Sequence, residues 1–255
     1  MILVSGRISA FITLLILCGF ILWYIMEARK GRVPKLRRLP ALEAIDEAVG
    51  RATEMGRPVH VSCGSGGSIR DEWASQVLAG LSVLSYVAEL CAEYDTSLIA
   101  TTPVADNFPI MSEIVREAYR RKNKEESFKP DMVVYVPGYN AASIGIMVER
   151  NIAANIMVGP FWHESVILAE VGASLGAIQI GGTATTHQLP FIVASCDYVL
   201  IGEEMFAAGA YLSRDPVQIG SIAGMDWGKV LAILLTLFGL LMEAAGFSII
   251  KYLNM

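Results

Sequence analysis

The chain predicts an α/β fold, a mostly parallel sheet of about six strands with helices on both faces, carried between two transmembrane helices at the chain ends. Three observations predict it. Six short Val/Ile-rich runs alternate with helical runs, and the linkers are only a few residues long, which suits parallel strands joined by helical crossovers. The first run enters its helix through a glycine-rich turn, as parallel sheets commonly begin. Two long apolar runs flank the whole, and they account for a mean hydropathy of +0.49.

Ile8 to Met26 carries no charge, and about 20 such residues cross a hydrocarbon core. The run is long for a signal peptide and leads into MEARK rather than a small-residue cleavage site. Residues 1–28 are therefore expected to form the amino terminus and first span. Arg29, Lys30, Arg32, Lys35, Arg37 and Arg38 make a basic juxtamembrane linker over 29–39. The positive-inside rule then places the following domain in the cytoplasm and both termini outside the cell membrane. Lys229 and Lys251 bracket a second apolar run broken only by Glu243, so 227–255 reads as the second span and a short tail. Trp23, Tyr24 and Trp227 fall where an interfacial aromatic belt is expected.

Residues 40–226 form the α/β domain. Pro40 to Met55 opens it as an amphipathic helix with Leu42, Ile45, Val49 and Ala52 on one face, and Gly56 ends it. Strands follow at Val59 to Cys63, Ser97 to Thr101, Met132 to Val136, Asn155 to Gly159, Ala177 to Gly181 and Tyr198 to Ile201. The helices between and after them run from about Asp71 to Glu93, Pro109 to Lys122, Ala141 to Arg150, His163 to Leu175, Leu189 to Ser195 and Glu203 to Leu212. This alternation is Rossmann-like. Several helices are rich in Ala, Gly and Ser, which suits close packing on the sheet or contact between subunits.

Composition narrows the function. Residues 39–226 hold 11 Lys and Arg against 23 Asp and Glu, a net of −12, which excludes a nucleic-acid partner because phosphate contacts need clustered cations. The basic linker is explained by topology and by anionic membrane lipid. Cys18, Cys63, Cys91 and Cys196 follow no disulfide or zinc spacing.

In an open parallel sheet ligands bind at the carboxyl ends of the strands, so a small-molecule ligand is expected there. The candidate binding residues are Gly64, Ser65, Gly66, Gly67, Ser68, Thr101, Thr102, Asn140, Glu203 and Glu204. The glycine turn suits a phosphate cradle or a plain tight turn. It departs from G-x-G-x-x-G because Ile69 holds the third glycine position, and it has no P-loop lysine. Asp71 and Glu72, expected in the helix's first turn, would repel an anion. Cys63 suits a nucleophile beside a helix N-terminus, with His163 or His187 as base, or a buried structural thiol. His163, Glu164, His187, Glu203 and Glu204 have no metal-ligand spacing, and helix capping is the simpler account, so no metal is expected. His60, inside a strand, reads as a core histidine.

In the second span Ala232, Thr236, Gly239, Glu243 and Gly246 recur at steps of four and three, a packing stripe. Centring that run in the bilayer puts Glu243 roughly 4–5 Å past its midpoint, near the depth of Thr13. A carboxyl there is costly and reads as a packing contact or as a functional site.

DYVLIGEEMFAAGAYLS and GSIAGMDWGK resemble a family of uncharacterised prokaryotic membrane proteins that carry a domain of unknown function. That resemblance carries no known activity, catalytic residue or cofactor. The sequence therefore supports a self-associating membrane protein, a homo-oligomeric scaffold whose domain organises an assembly at the inner membrane face. The alternative is a membrane-tethered enzyme, a hydrolase or nucleotide-dependent enzyme, with its site at the strand ends.

Overall fold

The structure, a computed structural model, describes residues 8–32, 38–213 and 215–245. It divides into two compact units, one made of Met1–Leu36 with Arg214–Met255 and the other of Arg37–Ser213.

The first unit is a helix pair, α1 (Ile8–Arg29) and α9 (Pro216–Ala244). Asp215 caps α9, its side chain accepting from the Val217 amide at 3.0 Å, with Pro216 in the first turn. The helix is thus continuous from Pro216, well before the apolar run bracketed by Lys229. Gly220, Gly224 and Gly228 line its contact with α1. A Cβ on Gly220 would lie 2.8 Å from Ile25 Cα, one on Gly224 2.5 Å from Ile21 Cα, and one on Gly228 2.3 Å from Leu17 Cδ1. The two backbones approach closely because these positions carry no side chain. Trp227 stacks on Phe20 and Tyr24 at centroid distances of 6.2 and 6.5 Å.

The second unit opens with α2 (Pro40–Met55), closed by Gly56 at φ 61°. Its six strands are β1 (Val59–Ser62), β2 (Leu98–Thr102), β3 (Val133–Tyr135), β4 (Ala154–Val158), β5 (Ile178–Thr183) and β6 (Tyr198–Ile201). They form one sheet in the order β3-β2-β1-β4-β5-β6, and every pairing is parallel. This is the doubly wound order in which the winding reverses between β1 and β4. The intervening helices are α3 (Ala74–Glu93), α4 (Phe108–Arg121), α5 (Tyr139–Arg150), α6 (Glu164–Ser174), α7 (Leu189–Ser195) and α8 (Glu203–Ser213).

Side chains alternate along each strand, so the sheet has two cores. Val59, Val61, Ala100, Ile156, Ile180 and Leu200 face α2, α3, α4 and α8. Met157 faces Leu168, Ala169 and Ile192 of α6 and α7, with Met147 of α5. Among the described residues, three helices are long and apolar enough to cross a membrane by length and composition: α1, α9 and α3. The apolar window of α3 is 61% buried, whereas those of α1 and α9 are 0% buried. Burial between sheet and neighbouring helices accounts for the apolarity of α3.

One boundary differs in a way that matters. Helix α3 starts at Ala74, because the Asp71 carboxylate accepts from the Ser68 amide at 2.7 Å and the Trp73 amide at 2.9 Å. Asp71 therefore holds the turn before the helix instead of sitting in its first turn.

Candidate functional site

The carboxyl ends of β1 and β4 meet at the point where the winding reverses, the place where a doubly wound sheet leaves a crevice. Here the chain fills it. The Ser65 and Gly66 amides both donate to the Pro160 carbonyl, at 2.9 and 3.2 Å. Gly64, at φ +106°, would place a Cβ 2.5 Å from the Pro160 ring, and a Cβ on Gly66 would overlap the Trp162 indole. Gly159, at φ +152°, lies against the Cys63 carbonyl. These glycines allow the β1–α3 and β4–α6 loops to press together. Most amides of the turn are spent on protein acceptors: besides Ser65 and Gly66, Ser68 donates to Asp71 Oδ2 at 2.7 Å and Ile69 to Asn107 Oδ1 at 3.3 Å, while Asn107 Nδ2 donates to the Gly67 carbonyl at 2.9 Å. Gln76, from α3, accepts from the Ala184 amide at 3.1 Å and ties in the loop after β5.

On the outer side of this seal lies a polar and aromatic cluster. Glu164 accepts from Ser65 Oγ at 3.3 Å and lies 3.6 Å from His163 Nε2. Trp162 packs edge-on against Trp73 at 5.4 Å and beside His187 at 5.5 Å. The structure thus brings Ser65, His163, Glu164 and His187 to one edge. The acid, not an imidazole, touches the serine, so this is not a nucleophile–base–orienter relay.

The other candidates lie apart from that cluster. Cys63 is 2% exposed, and burial pushes its thiol up to about 12, so it is protonated at neutral pH. Thr102 Oγ1 accepts from the Val104 amide at 3.2 Å, a turn-forming contact. Glu204 accepts from the Ile201 amide at 3.2 Å at the start of α8, beside Glu203. Asn140 lies in the first turn of α5, and its side chain lies outside the described residues. Among the described residues no group of three or more His, Cys, Asp or Glu comes together to hold a metal.

Thr101 belongs to a feature that reading strand by strand missed. It joins a row of buried polar side chains running across four strands: Thr101 Oγ1 to His60 Nε2 at 2.8 Å, His60 Nδ1 to Asn155 Oδ1 at 2.8 Å, and Asn155 Nδ2 to Gln179 Oε1 at 2.8 Å. Gln179 Nε2 in turn donates to the Ala169 carbonyl. Every bond is satisfied in one direction when the histidine is neutral, and burial lowers His60 to about 4. Gly172 of α6 makes room for the row, since a Cβ there would lie 2.6 Å from Gln179 Oε1. In the folded strands His60, Asn155 and Gln179 are each the second residue and pair in register, an alignment that the strand starts expected from the sequence, Val59, Asn155 and Ala177, hid.

Cavities among the described residues open at the amino ends of the strands, opposite the edge where a ligand was expected. One, of about 470 Å³, is lined by Leu98, Ile99, Lys129, Met132 and Ile146; another, of about 600 Å³, by Glu47, Arg51, Gly176, Asp197 and Tyr198.

In the helix pair, Ala232, Thr236 and Glu243 are exposed, and a Cβ on Gly239 would meet nothing within 4 Å. Gly246 lies outside the described residues. Helix α1 therefore packs on Gly220, Gly224 and Gly228, leaving the Ala232–Thr236–Gly239–Glu243 stripe open.

Fold and site define a parallel α/β domain of dinucleotide-fold strand order whose switch-point crevice is closed by its own loops. The chain belongs to the family defined by a domain of unknown function (DUF6754), which it matches over residues 2–253. No curated protein and no solved structure matches it.

Proposed function

We propose that this chain is a membrane-anchored, self-associating protein whose α/β domain organises a homo-oligomeric assembly at the cytoplasmic face of the membrane. The observation that carries the reading is the outward surface of the helix pair. Glycines face inward between α1 and α9, while Leu14, Leu15, Leu22, Leu234, Phe238 and Leu241 are more than half exposed. Such a surface is unfavourable in water and favourable in hydrocarbon. The basic run after α1 supports the cytoplasmic side, and the stripe on α9 that α1 leaves open supports association. A closed crevice suits a domain whose task is contact.

Two measurements test the reading. The protein should stay in membranes through an alkaline wash, and in mild detergent its protein mass should be a multiple of 27.6 kDa. Release by the wash, or a monomeric mass, would overturn it. The second reading, a membrane-tethered enzyme, is favoured by Ser65, His163 and Glu164 meeting beside Trp162. A nucleotide and small-molecule panel that raises the melting temperature, with the rise lost in His163→Ala and His187→Ala, would establish it instead.

A further inference from the structure

The close contacts between α1 and α9 fix their antiparallel register, with Ile25 level with Gly220, Ile21 with Gly224 and Leu17 with Gly228. Carried along both helices, that register sets Arg29 level with Pro216 and Ile8 with Leu237. Asp226 and Lys229 then lie level with the middle of the uncharged run of α1, not at its end. They form an ion pair of 2.7 Å, and their side chains are 63% and 46% exposed. With α1 spanning the bilayer, the pair sits on the order of 15 Å from either end of the span at 1.5 Å per residue, too deep for a lysine to snorkel out.

A second pattern coincides with the first. Asp226, Lys229, Ile233, Thr236, Leu240 and Glu243 recur at steps of three and four, so every charged side chain of α9 lies on one stripe. On a helix of 3.6 residues per turn this stripe lies nearly opposite Gly220 and Gly224. Helix α9 therefore has a face that α1 covers and a face that carries its charges. Ionised side chains at mid-depth belong against protein or a water-filled cavity, not against acyl chains.

The geometry points to a second copy of this chain as the occupant of the charged stripe. Copies inserted in the same membrane run parallel, so Lys229 of one stands about one helical turn from Asp226 of the other in depth, and the stripe, bearing both signs, complements itself under rotation. The seam is the one on which Ile233 and Leu240 of one α9 meet the same residues of its neighbour, while Asp226 of each faces Lys229 of the other. This deepens the proposed self-association by naming its intramembrane interface, and it rests on α1 and α9 being spans.

Disulfide trapping in native membranes tests it, in a Cys18→Ser background because Cys18 is exposed. Ile233→Cys, on the seam, should give a crosslinked dimer on mild oxidation. Leu234→Cys, about 100° round the helix, should not. Adding Asp226→Lys should reduce the Ile233→Cys dimer by about tenfold or more through like-charge repulsion, and adding Lys229→Asp to that variant should restore it. An alkaline wash of the same membranes separates the two failures. Protein retained by the wash, with no Ile233→Cys dimer or with an equal Leu234→Cys dimer, overturns the seam and leaves the anchoring intact. Protein released by the wash overturns the anchoring and the seam with it.

Discussion

Asn155 and Ile156 are neighbours on β4, both 0% exposed, and they face opposite sides of the same sheet. On the side of Ile156 the sheet is aliphatic, and its stability comes from apolar area and close packing. On the side of Asn155 the sheet centre holds a hydrogen-bonded row instead. The aliphatic face tolerates small volume changes at graded cost, whereas the polar row is satisfied as a whole or not at all. Two cores in one domain should therefore fail in different ways.

The sharpest contrast is a pair of alanine variants. Asn155→Ala leaves His60 Nδ1 and Gln179 Oε1 without their partners, two buried orphans at about 1–3 kcal/mol each, so a loss of about 4 kcal/mol is expected. Ile156→Ala should lose about 3 kcal/mol through lost transfer energy and a residual cavity. Denaturant melts of the full chain measure both. Asn155→Ala proving milder than Ile156→Ala would show that the row contributes little beyond filling space.

Acid separates the faces next. His60 is lowered to about 4 from an ordinary 6.5, with burial as the main cause. The unfolded chain therefore binds a proton at this site between those values that the folded chain refuses. The stability from neutral His60 is present in full above pH 6.5 and is lost as pH falls toward 4, by about 3 kcal/mol across the window. Measured between pH 7 and 4, the difference between Ile156→Ala and the parent chain should stay constant, while His60→Gln should lose the one-proton slope. A slope unchanged in His60→Gln would assign the acid sensitivity elsewhere.

The same contrast explains what could be read before the structure. The strands were legible because Val, Ile and Ala runs such as VVY and ANIMV are bounded by turn residues, and the elements recur where alternation put them. The glycine turn was legible as a turn, but glycine permits close approach without naming what approaches. Here it is Pro160 and Trp162, about a hundred residues on, and no local spacing reveals that. Helix α9 shows the same limit: Lys229 bounds an apolar run in the sequence, whereas the helix that holds it runs unbroken from Pro216 to Ala244 and meets α1 through glycines that no apolar count picks out.

The smallest expected effect concerns how the helices over the polar row are held. Arg57 precedes β1 and reaches the carboxyl ends of α5 and α6. It donates to the Asn151 carbonyl at 2.6 Å, the Asn151 side chain at 2.8 Å, the Ile152 carbonyl at 2.6 Å and the Leu175 carbonyl at 3.0 Å. The Asn151 and Leu175 carbonyls belong to the residues that close α5 and α6, acceptors a helix end leaves over, and the negative end of each helix dipole adds to the attraction. Arg57→Met keeps the stem and removes the fork. Water can reach part of the freed surface, so the expected loss is about 2 kcal/mol, below that of Asn155→Ala. The loss should be localised: amide exchange should quicken in the last turns of α5 and α6 and stay unchanged in α3 and α4, which pack on the other face. Equal quickening in all four helices would mean that Arg57 supports the sheet generally, and the separation of the two faces would not extend to the helices that cover them.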